Sequence, residues 1–199
     1  MVEINKIEKI TNNKWLNLYK AYFCNKGNYG EWIFASRKKS QTPKDIATPD
    51  AVVIIPILKT KDGHKIVIIK EFKIPLQGYE IGFPSGLHDQ NNLKQTIAKE
   101  LKEETGLDLE VIHKISPPIY SSSGMTNEST VLAFVSVSGI LSTKNNEKYE
   151  NIKTMAISET ELPKILNGKN GMVGGKAWPI LFAINMFGIK KFLEKNFKK

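Results

Sequence analysis

Runs of β-branched and alternating apolar residues, punctuated by glycine- and asparagine-containing turns, dominate the first third of the chain. Ala51–Leu58 (AVVIIPIL) and Lys65–Glu71 (KIVIIKE) read as two strands, with Lys61-Asp62-Gly63 as the hairpin turn between them. Upstream, residues 1 to about 45 alternate only weakly. There Trp15–Phe23 and Glu31–Ser36 predict two strands joined by a turn at Asn25-Lys26-Gly27-Asn28, and Pro43 and Pro49 mark a connector. A two-stranded ribbon this aromatic is not stable by itself, so it is expected to pack on the main domain or on another subunit. Further on, Leu109–Ser116, Val131–Ser138 and Glu150–Ile157 are strand candidates, and Glu159–Leu166 and Trp178–Asn196 have helical spacing. The stripe of Ile180, Leu181, Ile184 and Phe187 on the last segment reads as a core face rather than a membrane anchor. Strands around two or three helices predict an α/β sandwich.

Between these elements lies the stretch with the densest chemistry, Gly82 to Leu107. A Gly-Phe-Pro-Ser-Gly turn leads through a polar loop into a helix that Thr105-Gly106 closes with a glycine cap. Glu100, Glu103 and Glu104 project within one sector of that helix, and Glu100 and Glu104 are stacked neighbours. Lysine–glutamate runs on helices are usually solvated faces. Three carboxylates this close nevertheless repel one another unless cations lie between them, and a hard divalent cation takes oxygen ligands.

Turn, spacer, acidic helix and Thr-Gly stop, in this order, resemble the Nudix box, whose second half reads Arg-Glu-aliphatic-x-Glu-Glu-x-Gly-aliphatic. Here it is Lys99-Glu100-Leu101-Lys102-Glu103-Glu104-Thr105-Gly106-Leu107. Lys99 stands for the arginine, the spacer after Gly86 is one residue short, and Asn91 or Asn92 falls where the family has its first glutamate. The resemblance implies a Nudix fold, with mixed β-sheets sandwiched between helices and an N-terminal antiparallel β-ribbon. It places the ribbon at residues 1–45 and the hydrolase domain at 46–199. It also implies metal binding by Glu100, Glu104 and the Ser85 carbonyl, with Glu103 adding to a further ion and counted as catalytic. Mg²⁺ is the expected cofactor, with Mn²⁺ as the alternative.

Outside the box, Lys70 to Leu76 and Gly78-Tyr79-Glu80 are similar to the ADP-ribose pyrophosphatase-like branch of that family. Lys73 matches an arginine that contacts the diphosphate, and Gly82 replaces a glutamate common there, with Glu80 two residues upstream. Trp15, Trp32 and Arg37 match positions that stack adenine and hold the substrate on a ribbon exchanged across a homodimer. Read from the residues alone, both tryptophans are core or interface aromatics. The loop YSSSGMTNE, Tyr120 to Glu128, matches a substrate loop and contributes Met125 and Glu128, while Gly86 belongs to the same substrate-binding set. Ser123 stands where a proline marks ADP-ribose specificity. Glu150 matches the general base, with Glu147 in reserve. The implied activity is metal-dependent hydrolysis of ADP-ribose or a related ADP-sugar to AMP and a sugar phosphate. Two alternatives remain: hydrolysis of another nucleoside diphosphate derivative, or a weakly active nucleotide-binding domain.

Composition narrows this little. The formal net charge is +9, yet Arg37 is the only arginine, and the lysines are spread along the whole chain. Nucleic-acid surfaces favour clustered arginine, so the excess charge points instead to drawing in a small anionic substrate. One cysteine, Cys24, excludes an internal disulfide and fits a reducing, cytoplasmic setting. The N-terminal segment has no apolar core of a signal peptide, and no apolar run reaches membrane-spanning length.

Overall fold

The computed structural model describes residues 1–88, 92–146 and 148–192, and divides the chain into two units. The first comprises Met1–Ala51 and Pro117–Val131, the second Val52–Ser116 and Leu132 onward. In chain order the elements are β1 (Val2–Lys9), β2 (Asn17–Asn25), β3 (Asn28–Ser36), α1 (Pro43–Ala47), β4 (Ala51–Thr60), β5 (Gly63–Lys73), β6 (Gly78–Gly82) and β7 (Ser85–Leu87). Then follow α2 (Leu93–Thr105), β8 (Asp108–Ile115), β9 (Ile119–Tyr120), β10 (Ser129–Ser138), β11 (Ile152–Ile157), α3 (Leu162–Leu166), β12 (Met172–Val173) and α4 (Ala177–Phe187).

In the first unit the expected two-stranded ribbon is an antiparallel sheet of three strands, β1-β2-β3. β2 and β3 meet through Lys26 and Gly27, both with positive φ, a turn whose twist matches that of the flanking strands. β1 escapes sequence reading because it is almost wholly exposed. Backbone pairing with β2, from Val2 opposite Asn25 to Lys9 opposite Tyr19, makes it a strand. Trp15 lies ahead of β2 rather than in it. The expected connector contains α1, capped by Thr42 and opened by Pro43.

In the second unit the sheet runs β12-β6-β5-β4-β10-β8, with β11 pairing β5 and β7 pairing β4. β4 and β5 are buried on both faces, as their unbroken apolar runs require. On one face Val53, Ile55, Ile57, Ile66 and Ile68 pack with Leu162, Ile165, Leu181 and Ile184 of α3 and α4. On the other side α2, which lies against β7 and β8, buries Ile97 and Leu101 completely. The observed architecture is therefore the expected α/β sandwich of sheets flanked by helices.

Local departures have identifiable causes. β6 forms a hairpin with β5 across a single 3₁₀ turn, Ile74–Leu76, where the sequence pattern shows only a crossing segment. The helix expected over Trp178–Asn196 stops at Phe187. Gly188 takes φ 74°, and Glu159 accepts the Ile189 N–H at 2.7 Å, so the chain bends before helix resumes. Residues 193–196 of that expectation lie outside the described residues. Phe187, placed in the core stripe by its spacing, is half-exposed at the helix end, whereas Leu181 and Ile184 are buried. Among the described residues no helix is long and apolar enough to cross a membrane.

Candidate functional site

α2 carries the acidic residues, and its boundaries follow from its ends. Asn92 caps the N-terminus by accepting the Lys94 N–H at 3.0 Å, and Gly106 closes the C-terminus at φ 75°. Asn92 at the place of the family's first glutamate therefore has a capping task here. Asn91 lies outside the described residues.

The three glutamates share a sector of α2 but not an environment. Glu104 is 3% exposed, and its carboxylate accepts the Ser85 N–H at 2.9 Å. Burial pushes its carboxyl up to about 8, the Ser85 hydrogen bond opposes this, and the charges of Glu71, Glu150 and Glu100 raise it further. Glu100 is also raised, chiefly by burial, with the Lys99 ammonium opposing. Its carboxylate lies so close to β7 that a Cβ on Gly86 would sit 2.1 Å from Glu100 Cδ. Only glycine permits that approach. Glu103 is half-buried and pairs with Lys99 at 3.0 Å, and Lys99 also reaches Glu100 at 3.3 Å. Those contacts, first the hydrogen bond to Glu103, hold the lysine above its ordinary value.

Such a set suits a hard cation. The donors are carboxylate oxygens, and one buried carboxyl stays protonated near neutral pH unless positive charge reaches it. Lys99 supplies positive charge to Glu100 and Glu103. Among the described residues no group of three or more His, Cys, Asp or Glu side chains is gathered closely enough to hold an ion unaided. An ion here would complete its shell with backbone carbonyls, water or ligand oxygens, as Mg²⁺ commonly does. Ser85 is brought to Glu104 by its N–H.

The raised Glu104 carboxyl has a consequence for stability. Its ordinary value is 4.5 and its folded value about 8, so the fold favours the neutral form. That contribution is fully present below the ordinary value and lost as pH rises through the folded one. Metal-free protein is thus expected to lose roughly 1.4 kcal/mol per pH unit across that window from this group. Urea melts with chelator at pH 6 and 8.5 should show the loss, and Glu104→Gln should remove it. An equal slope in both proteins would assign the effect elsewhere.

Two further groups of the second unit bear on α2. Glu71, to which the sequence reading assigned no role, pairs with Lys73 at 2.5 Å and contributes to the field on Glu104. Alternation along β5, which puts both on one strand face, was the available signal. Glu150 lies just before β11 and acts on both Glu100 and Glu104 through its charge. Glu147 lies outside the described residues.

The remaining expected site residues are in the first unit. Arg37 Nε donates to Glu128 at 3.0 Å, and Ser121 Oγ donates to the other oxygen of that carboxylate. Trp32 Nε1 donates to the Gly124 carbonyl at 3.3 Å, and the Ala35 N–H donates to the Met125 carbonyl at 2.8 Å. Trp32, Arg37, Met125 and Glu128 are therefore drawn to one loop. Trp32 also lines an apolar groove with Phe34, Tyr120 and Ser123. Trp15 is 66% exposed, under the Lys14 ammonium, and Trp32 is 53% exposed. The two indoles do not stack on each other among the described ring contacts.

Comparison with known proteins places these features. The profile of the NUDIX domain matches residues 47–173. The chain is 34% identical over 152 residues to an ADP-ribose pyrophosphatase of Saccharomyces cerevisiae, a match covering 74% of this chain and 63% of that protein. It is 29% identical over 135 residues to an ADP-sugar pyrophosphatase of Mus musculus, covering 66% of this chain and 60% of that protein. The chain thus spans less than two thirds of either relative. The crystal structure of an ADP compounds hydrolase superposes with a TM-score of 0.71 at 13% identity, over 98% of this chain and 95% of that one, a likeness of fold.

Proposed function

Because the chain belongs to the Nudix family, we propose that it hydrolyses the diphosphate bond of ADP-ribose or a related ADP-sugar, giving AMP and a sugar phosphate. One observation carries the reading: a buried carboxylate, Glu104, held by the Ser85 N–H one helical turn from Glu100, whose own carboxylate fills the space left by Gly86. The likeness to the yeast ADP-ribose pyrophosphatase and the mouse ADP-sugar pyrophosphatase supports the substrate class.

Nudix hydrolases generally depend on divalent metal ions. Mg²⁺, with Mn²⁺ as the alternative, would be held here by Glu100, Glu104, Glu103 and the Ser85 carbonyl. Such an ion would offset the negative charge of the diphosphate and make the attacking water more acidic. Glu150 takes the proton from the attacking water. The water oxygen forms the new bond to phosphorus, and the bridging oxygen leaves with the other phosphate. Lys73 holds the diphosphate as a point charge, and Arg37 steadies it as charge develops. Trp15 and Trp32 flank the adenine, with Gly86, Met125 and Glu128 completing the substrate contacts.

Glu150→Gln is expected to lower kcat by about a hundredfold or more while leaving KM nearly unchanged, the pattern of a lost proton acceptor. An unchanged kcat would transfer the role to another group. A second reading, hydrolysis of a different nucleoside diphosphate derivative, is favoured by Ser123 on the Trp32 groove. Phosphate release across a panel of such compounds with Mg²⁺ or Mn²⁺ separates the two.

The first unit also supports a homodimer. Leu18 and Ile33 on one face of its three-stranded sheet and Ile4 and Trp32 on the other are exposed, apolar surface that association would cover. Sedimentation at micromolar concentration is expected to give twice the 22.4 kDa chain mass. A fully active monomer would remove both the dimer and any shared site.

A further inference from the structure

Between β5, β6 and the turn into α4 lies a cleft of about 210 Å³ whose polar lining is Glu71, Lys73, Glu80, Ser85 and Lys176. Strand register explains its floor. Glu71 stands directly opposite Glu80, and Ile69 opposite Gly82. Like charges so placed repel, and Lys73 answers only one of them, by pairing with Glu71. Neither Glu80 nor Lys176 has a side-chain hydrogen bond or ion pair among the described residues.

Gly174 clears the space that the Glu80 carboxylate occupies, and Gly82 borders it at van der Waals distance. A Cβ on Gly174 would lie 2.4 Å from Glu80 Oε1, and one on Gly82 would lie 4.0 Å from it. The parallel pairing of β12 with β6, Met172 opposite Glu80, sets Gly174 there, and its N–H donates to the Ile81 carbonyl at 2.9 Å. Lys176 follows two residues later and faces the same cleft. An acceptor-only carboxylate and a donor-only ammonium thus line one space without meeting.

We propose that this cleft seats the sugar-phosphate half of the substrate, Glu80 accepting hydrogen bonds from the sugar hydroxyls and Lys176 facing the phosphate. A hydroxyl both donates and accepts, and a phosphate only accepts, so a phosphorylated sugar satisfies both side chains together. The volume is below the roughly 300–1,000 Å³ of pockets that take whole drug-sized ligands. It suits part of a dinucleotide-sized molecule. Ser85 links the cleft to the acidic helix, since it lines the one and its N–H holds Glu104 of the other. The assignment rests on the diphosphate hydrolase reading and adds which residues hold the sugar and the phosphate that carries it.

Titration of the full chain with ribose 5-phosphate, followed by amide NMR, tests it. The amides of Gly174 and Gly175 are expected to shift, and Glu80→Gln and Lys176→Met should each weaken binding about tenfold, as loss of a hydrogen bond to a charged group does. Gly174→Ala should do the same by displacing the Glu80 carboxylate. The displaced atom is the tip of a flexible side chain, so the fold survives, and a melting curve checks this. Unmoved glycine amides, or three variants that bind like the parent, would overturn the assignment. Failure of the hydrolase reading looks different: the parent would bind ribose 5-phosphate at these amides yet cleave no ADP-sugar.

Discussion

Replacing Glu104 by Gln is expected to cut turnover of ADP-ribose by at least about a hundredfold at saturating Mg²⁺, in line with loss of a metal ligand or its support. The substitution keeps the shape of the side chain, and its amide oxygen can still accept the Ser85 N–H, at 2.9 Å in the parent. What disappears is the buried charge that would offset a cation. Because burial disfavours that charge without metal, the same variant should be no less stable than the parent in chelator at pH 8.5. An inactive but well-folded variant is therefore expected. Near-normal turnover would remove Glu104 from the metal site, whereas a large loss of stability would show that its role is structural.

Trp32→Ala is the second large effect. If the indole stacks on adenine, its loss removes on the order of 1–3 kcal/mol, a rise of roughly ten- to a hundredfold in KM for ADP-ribose. Turnover at saturation should change less, since stacking far from the reacting phosphorus contributes binding shared by substrate and transition state. The hydrogen bond from Trp32 to the Gly124 carbonyl is lost too. Sedimentation of the same preparation must therefore show an unaltered oligomeric state. An unchanged KM in an intact assembly would make the tryptophan structural, and the substrate reading would widen to another nucleoside diphosphate.

The acidic helix was legible because its signals are local. Gly106 caps its C-terminus, and the i,i+4 spacing that stacks Glu100 on Glu104 is a property of any α-helix. The β4–β5 hairpin was legible for the same reason, from two apolar runs around Lys61-Asp62-Gly63. Spacing alone, however, treats Glu100, Glu103 and Glu104 nearly alike. Tertiary packing separates them: the β7 backbone at Ser85 and Gly86 closes over Glu104 and Glu100, while Lys99 bridges Glu100 and Glu103. β1 and β6 became strands through pairing with neighbours, which their own weak patterns do not announce. The break at Gly188 likewise depends on Glu159, which is distant in sequence and satisfies the Ile189 N–H. Periodicity and capping are carried by neighbouring residues and can be read along the chain. Burial, which decides whether a carboxylate is an ordinary surface charge or one that asks for a cation, arises only when distant segments meet and exclude water.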